Sequence, residues 1–181
     1  VSITAPDFRR AGVGQDQSDL SSLKLHSDQT FESFDLRTGE LDSEGQENLQ
    51  RAVEIARRFA ETPSNWLVLT GNYGCGKTHL AAAIANLRVS RGQPALFIVV
   101  PDLLDHLRAT FNPQSTVTFY QQFEEVRRAP LLVLDDLGTE SATPWAREKL
   151  YQIFDYRYNA RLPTVITTAS RIEDLDARLY A

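Results

Sequence analysis

Apolar residues along this chain follow two rhythms. Four short runs are almost uninterrupted: Trp66 to Thr70, Ala95 to Val100, Leu131 to Leu134, and Leu162 to Thr168. Runs of this length, rich in β-branched residues and bounded by Gly, Pro or Asp, predict strands buried on both faces. Between them the apolar positions recur at helical spacing. Leu49, Ala52, Val53, Ala56, Phe59 and Ala60 mark a helix over Ser43–Ala60, with Pro63 just beyond its end. Leu80, Ala83, Ile84 and Leu87 mark a second over Thr78–Arg91, with Gly92 as its expected C-cap and Pro94 as its stop. Asp102 is the expected cap of a third, in which Leu103, Leu104, Leu107 and Phe111 share a face. After a turn at Asn112-Pro113, Thr116–Arg128 repeats the pattern with Phe119, Phe123 and Val126. Thr143-Pro144 opens another helix, burying Leu150, Ile153 and Phe154 and leaving Arg147, Arg157 and Arg161 at or beyond its other side. Ile172 to Ala181 reads as a last helical stretch. Strands alternating with helices predict a mainly parallel sheet covered on both faces, an α/β fold of three layers.

The first thirty residues break this rhythm. They are rich in Ser, Asp, Gln and Gly and read as a linker or weakly ordered arm, so the folded domain is expected over residues 31–181. At the junction stands Phe31-Glu32-Ser33-Phe34. Its two aromatics either flank a nucleotide base or staple the arm to the core, the staple being the preferred reading.

Composition changes the picture little. With 181 residues and 42% hydrophobic content, the chain is long enough to bury a core without disulfides or metals. The net charge of −5 excludes a surface coated in basic residues but not a local path of cations for a nucleic acid. A lone cysteine, Cys75, rules out an internal disulfide and predicts a reducing compartment, the cytoplasm. No run approaches the length of a membrane span. The chain starts at Val1 and contains no methionine, which predicts a piece of a longer protein.

Two strand ends carry the chemistry. The run ending at Thr70 leads into Gly71-Asn72-Tyr73-Gly74-Cys75-Gly76-Lys77-Thr78, and a helical pattern starts at once. Gly-x-x-x-x-Gly-Lys-Thr between a strand and a helix is a P-loop. Its glycines let successive N–H groups, from Gly71 to His79, turn toward phosphate oxygens, and the helix N-terminus adds partial positive charge. Lys77 supplies a mobile cation for the β- and γ-phosphates, and the Thr78 hydroxyl is a hard oxygen ligand for Mg²⁺. The run from Leu131 ends in Asp135-Asp136. Asp135 is placed to hold the magnesium ion, and Asp136 to orient or deprotonate an attacking water. Thr167-Thr168, at the end of the last apolar run, are candidates to sense the γ-phosphate, with Thr168 assigned a catalytic part. The cofactors so predicted are ATP and Mg²⁺.

These motifs together resemble the AAA+ ATPases of the DnaC/IstB group, the helicase loaders and transposition helpers. The likeness rests on Phe31 to Phe34, on Gly71 through Ala81, on Leu132-Val133-Leu134-Asp135-Asp136-Leu137-Gly138, on Trp145 to Leu150, on Tyr156-Arg157-Tyr158 and on Leu162-Pro163-Thr164. It implies a five-stranded sheet, whose fifth strand is not readable here. It also implies an ATPase assembling side by side on single-stranded DNA through its ATP sites, and acting on a replicative helicase or, alternatively, a transposase. Two departures stand out. Ala169 replaces the asparagine the family commonly has after the threonine pair, which favours a rival reading as a nucleotide-gated binding module that hydrolyses weakly. The resemblance also implies an Arg-x-x-Ser-Arg type segment near the end, of which Arg178 matches the first arginine, and its second, the arginine finger, is expected just beyond Ala181.

Overall fold

The computed structural model describes residues 18–112, 118–138 and 143–170. Helix α1 (Ser43–Glu61) is followed by strand β1 (Trp66–Thr70), α2 (Lys77–Ser90), β2 (Leu96–Val99), α3 (Val100–Ala109), α4 (Phe119–Arg128), β3 (Leu132–Asp135), α5 (Pro144–Asn159) and β4 (Thr164–Thr168). The strands form one parallel sheet in the order β1-β4-β3-β2, so the chain crosses over between every sequential pair. Four strands are present among the described residues, against the five implied by the family resemblance.

Alternation along the strands divides the core in two. Leu96, Ile98, Leu132, Leu134 and Ile166 face α3, α4 and α5. Phe97, Val133 and Val165 face α1 and α2, where Ala81, Ala82, Ala83 and Ala85 let the second helix lie close to the sheet. That small-residue face brings the N-terminus of α2 against the carboxyl ends of β1, β3 and β4, where ligands bind in open parallel sheets.

Several sequence expectations are adjusted. Helix α3 starts at Val100, directly from β2, with Val99 at the cap, Pro101 in its first turn and Asp102 inside it. The cap expected at Asp102 is therefore displaced: proline is already suited to the first helical turn and the strand feeds into it without a loop. Gly92 lies one residue past the cap of α2, at φ +71, and its N–H donates to the Val89 carbonyl at 2.9 Å. Thr118 caps α4 through a capping box with Gln121. Residues 18–30, assigned to the arm by composition, are fastened to the domain. Leu20 and Leu23 are buried, the Ser22 N–H donates to the Phe97 carbonyl at 2.8 Å, and Asn86 Nδ2 donates to the carbonyls of His26 and Gln29. Too few apolar residues mark this stretch for a period to show. Residues 1–17 and the expected helix Ile172–Ala181, with Arg178, lie outside the described residues.

Arg157 departs most from expectation. It is fully buried rather than on the polar side of α5. Nε donates to Thr164 Oγ1 at 2.8 Å, one terminal nitrogen to the carbonyls of Ala129 and Arg127 at 2.8 and 3.1 Å, and the other to the Pro163 carbonyl at 2.7 Å. Burial pushes its guanidinium down to about 10, still well above neutral pH. The side chain thus caps the C-terminal end of α4 as a cation and ties it to the start of β4.

Candidate nucleotide site

The loop from Gly71 to Gly76 takes its shape from three left-handed glycines, at φ +146 (Gly71), +74 (Gly74) and +96 (Gly76). At Gly76 a side chain is excluded twice over, since its Cβ would also lie 2.9 Å from Phe34 Cε2. The loop runs straight into α2, whose first N–H groups have no carbonyl within the helix and are open to an anion. Lys77 Nζ donates to the carbonyls of Gly71 and Asn72 at 2.9 and 2.8 Å and lies 3.9 Å from Cys75 Sγ. Tyr73 is highly exposed, its ring centroid 5.8 Å from that ammonium.

Across the loop, Asp135 ends β3. Thr78 Oγ1 lies 3.0 and 3.2 Å from its two carboxylate oxygens, so the P-loop hydroxyl and the strand-end acid converge on one point. Thr167 Oγ1 donates to Asp135 Oδ1 at 2.6 Å and accepts the Asp136 N–H at 2.9 Å. Asp136 turns the chain at φ +58 and is exposed. The two threonines part company here. Thr167 lies two residues from Val165 and shares its α2-side face, with Asp135. Thr168, one residue on, faces the other way, and its hydroxyl accepts the Ser170 N–H at 3.0 Å. Of the two threonines expected to reach the γ-phosphate, the structure brings Thr167 to the acid, and Thr168 bonds to the Ser170 N–H instead. Ala169 is exposed and offers no polar group.

The Phe31–Arg37 segment is a strap over this loop. Phe31 is buried among Ala56, Ala60 and α2, with the Arg57 guanidinium 4.7 Å above its ring. Phe34 lies against Gly76 and meets the His79 ring edge-on at 5.1 Å. The two aromatics are thus staples. His79 Nε2 lies 2.8 Å from the Thr30 carbonyl, which can only accept, so that nitrogen carries a proton. Its ring belongs to the strap, and only its backbone N–H, in the first turn of α2, is left to face the loop. Arg37 donates to the Gly74 carbonyl at the loop's tip. Nothing in the sequence marks Arg37, a lone cation in a polar stretch, whereas the paired phenylalanines do signal an attachment. Because the strap presses on Gly76, we expect Phe34→Ala to weaken nucleotide binding about tenfold through lost pre-organisation, with only a small change in melting temperature. Titration with a fluorescent ATP analogue checks this, and an unchanged affinity would remove the strap from the site.

Cations singled out along α3 and α4 are already engaged. Arg127 and Arg128 pair with Glu124, and Arg127 stacks 4.3 Å over the Tyr156 ring. Arg108 pairs with Asp105 at 3.0 Å and lies 5.0 Å over Trp145. Around it, Phe111, Phe119 and Phe123 stack in sequence with centroids 5.6 and 5.3 Å apart, Phe111 being 61% exposed. No described helix is long and apolar enough to cross a membrane.

Comparison with known proteins agrees with this geometry. The family described as IstB-like ATP binding protein matches residues 9–180. The replicative helicase loader DnaC of Escherichia coli K12 is 30% identical over 169 residues, covering 93% of this chain and 62% of that protein. The replicative helicase loader DnaI of Bacillus subtilis 168 is 28% identical over 157 residues, 84% of this chain and 48% of its own. The crystal structure of the DnaC helicase loader superposes with a TM-score of 0.68 at 28% identity, over 86% of this chain and 89% of that one. The fold is also that of the replication initiator DnaA bound to AMPPCP and single-stranded DNA, with a TM-score of 0.68 at 20% identity, over 88% of this chain and 46% of that one. A glycine loop, a strand-end acid and a match over nearly the whole sequence give one answer: the chain belongs to the IstB-like ATP-binding protein family.

Proposed function

We propose that this domain binds magnesium–ATP between the glycine loop and the acid pair and hydrolyses it, as a cytoplasmic helicase-loading ATPase working on single-stranded DNA. The observation that carries the reading is the convergence of Thr78 and Asp135 within 3.0 Å beside Lys77. These are hard oxygens. Magnesium takes one or two such protein ligands and completes its shell with waters and phosphate oxygens, so they fit the ion. Among the described residues no group of three or more His, Cys, Asp or Glu could cage a metal, which suits a shared site of this kind. Bound there, the ion would offset charge on the β- and γ-phosphates. Lys77 exchanges the Gly71 and Asn72 carbonyls for phosphate oxygens, and the first-turn N–H groups of α2 hold the rest. Asp136 orients the attacking water and accepts its proton as the water oxygen bonds to the γ-phosphorus. The bond from that phosphorus to the β–γ bridging oxygen breaks, and ADP departs with its electron pair, leaving inorganic phosphate.

The helicase-loading part of the reading rests on the likeness to DnaC and DnaI, of which this chain spans 62% and 48% of the length. Phe111, exposed and stacked on Phe119, with Arg108 and the half-buried Trp145 beside it, supports single-stranded DNA as a partner, since bases stack on aromatic faces regardless of sequence. Assembly of copies through their ATP sites follows from the family likeness alone. The transposition-helper reading draws on the resemblance to the IstB side of this family, and a transposase would replace the helicase as partner. A nucleotide-gated module with weak hydrolysis is favoured by Ala169, which leaves no amide beside the γ-phosphate.

ATP turnover titrated with single-stranded DNA, alongside DNA affinity in ATP and in ADP, tests the proposal. Turnover that is slow in the dilute chain and rises with DNA is expected. Asp136→Asn should lower it by about tenfold or more while leaving ATP affinity intact. Undetectable turnover with an ATP-dependent DNA affinity would favour the binding module, and unchanged turnover in Asp136→Asn would remove that residue from the chemistry.

A further inference from the structure

We propose that Thr167 is the positioning residue of the acid pair: one side chain sets the orientation of Asp135 and, through the backbone, that of Asp136. The inference rests on the ATPase reading of the site and assigns a role within it to a residue whose hydroxyl is taken up by the acid pair itself.

Its hydroxyl has one proton to give and lone pairs to receive. The proton goes to Asp135 Oδ1 at 2.6 Å, the short separation of a charge-assisted bond. The Asp136 N–H comes back to the same oxygen at 2.9 Å, and the Leu137 N–H donates to the Thr167 carbonyl at 2.9 Å. Three consecutive residues of the β3 turn thus bond to one residue of β4. The turn benefits from such a hold, because Asp136 sits at φ +58, a conformation uncommon outside glycine even though aspartate tolerates it better than most side chains. Its N–H bond to Thr167 secures that conformation, and the conformation places the Asp136 carboxylate in the open.

The bond to Asp135 is selective between that acid's oxygens. Oδ1 receives Thr167 at 2.6 Å and Thr78 at 3.0 Å, whereas Oδ2 has Thr78 alone, at 3.2 Å. Oδ2 is the less committed oxygen, and Thr167 fixes which of the two it is. Thr167 is 1% exposed and on the α2-side face, so its hydroxyl has no competing water. Thr168 faces away and Ala169, just past β4, has no polar side-chain atom, so neither neighbouring side chain can stand in.

The test compares Thr167→Val, which keeps the shape and removes the hydroxyl, with Thr167→Ser, which keeps the hydroxyl. Affinity for a fluorescent ATP analogue is measured with and without Mg²⁺, and turnover is measured in parallel. The valine variant should hold the Mg²⁺-free affinity within about twofold, lose most of the gain that Mg²⁺ confers, and turn over about tenfold more slowly. Serine should restore both. Should the valine variant fail to fold, Thr167→Cys, a weak donor of similar size, makes the same comparison. A valine or cysteine variant with the wild-type magnesium gain and turnover overturns the proposal. So does a serine variant as impaired as valine, which would mean that the methyl group and not the hydroxyl matters. A wild-type chain that binds nucleotide without any magnesium gain, or binds none, overturns the ATPase reading itself, and the role of Thr167 with it.

Discussion

Lys77→Ala should lower the affinity for magnesium–ATP about a hundredfold and leave the fold intact. The ammonium is held inside the loop by the Gly71 and Asn72 carbonyls at 2.9 and 2.8 Å, whereas the Arg37 guanidinium reaches only the Gly74 carbonyl at its tip, from the strap. Nucleotide binding exchanges those two neutral acceptors for phosphate oxygens carrying full charge. Hydrogen bonds to charged groups are each worth about 1.5–3 kcal/mol, so two of them, less the carbonyl bonds given up, leave a net of about 3 kcal/mol. At about 1.4 kcal/mol per tenfold that is roughly two orders of magnitude. The folded state loses little, because the lysine is bonded at an open loop rather than in the core. Calorimetric titration reads the affinity, and a thermal melt confirms the fold. Binding within a few-fold of wild type would place the triphosphate somewhere other than this loop.

The second large effect concerns stability. Arg157→Met should cost about 3–5 kcal/mol, by the measure of breaking a buried charged network. For a chain of this size it should lower the melting temperature by about 10 °C. Methionine fills much of the space but donates nothing. The carbonyls of Arg127 and Ala129, which now share one guanidinium nitrogen at 3.1 and 2.8 Å, would be left buried without it, and that of Pro163 would keep only the Leu132 N–H at 3.4 Å. Each orphaned acceptor costs about 1–3 kcal/mol before relaxation. Arg157→Lys should recover only part of the loss, since one ammonium cannot reach acceptors arranged around a planar fork. The residue lies at the start of β4, Thr164, whereas the nucleotide site lies at its other end, beyond Thr168. ATP binding measured well below the melting temperature should therefore be unchanged. A melting shift of under about 2 °C would mean that those carbonyls have other partners.

Local pattern carries most of what the sequence by itself determined. The P-loop, the acid-ended strand and all four strands were legible, because each depends on a run of neighbouring residues: a glycine spacing, an uninterrupted apolar stretch, a polar stop. The same locality explains the family resemblance, whose quoted segments are all contiguous. The start of α5 was legible from its capping Thr143, whereas α4, read from Thr116, is capped by Thr118, and α3 was misplaced at Asp102, where proline and a direct strand-to-helix passage set the start instead.

Tertiary structure decided whatever depends on which side of an element a residue meets. Thr167 and Thr168 are indistinguishable as a pair in sequence, and only the sheet's register shows that the first shares a face with Asp135 and the second does not. Arg157 carries the same charge as Arg147 and Arg161, yet it alone of the three meets a cluster of carbonyls contributed by α4 and the β4 approach. Residues 18–37 have no period of their own, and their order comes from being pressed onto α2 and the glycine loop. A periodic pattern reports the environment of a whole element; a single side chain's partner lies dozens of residues away, and only folding brings the two together.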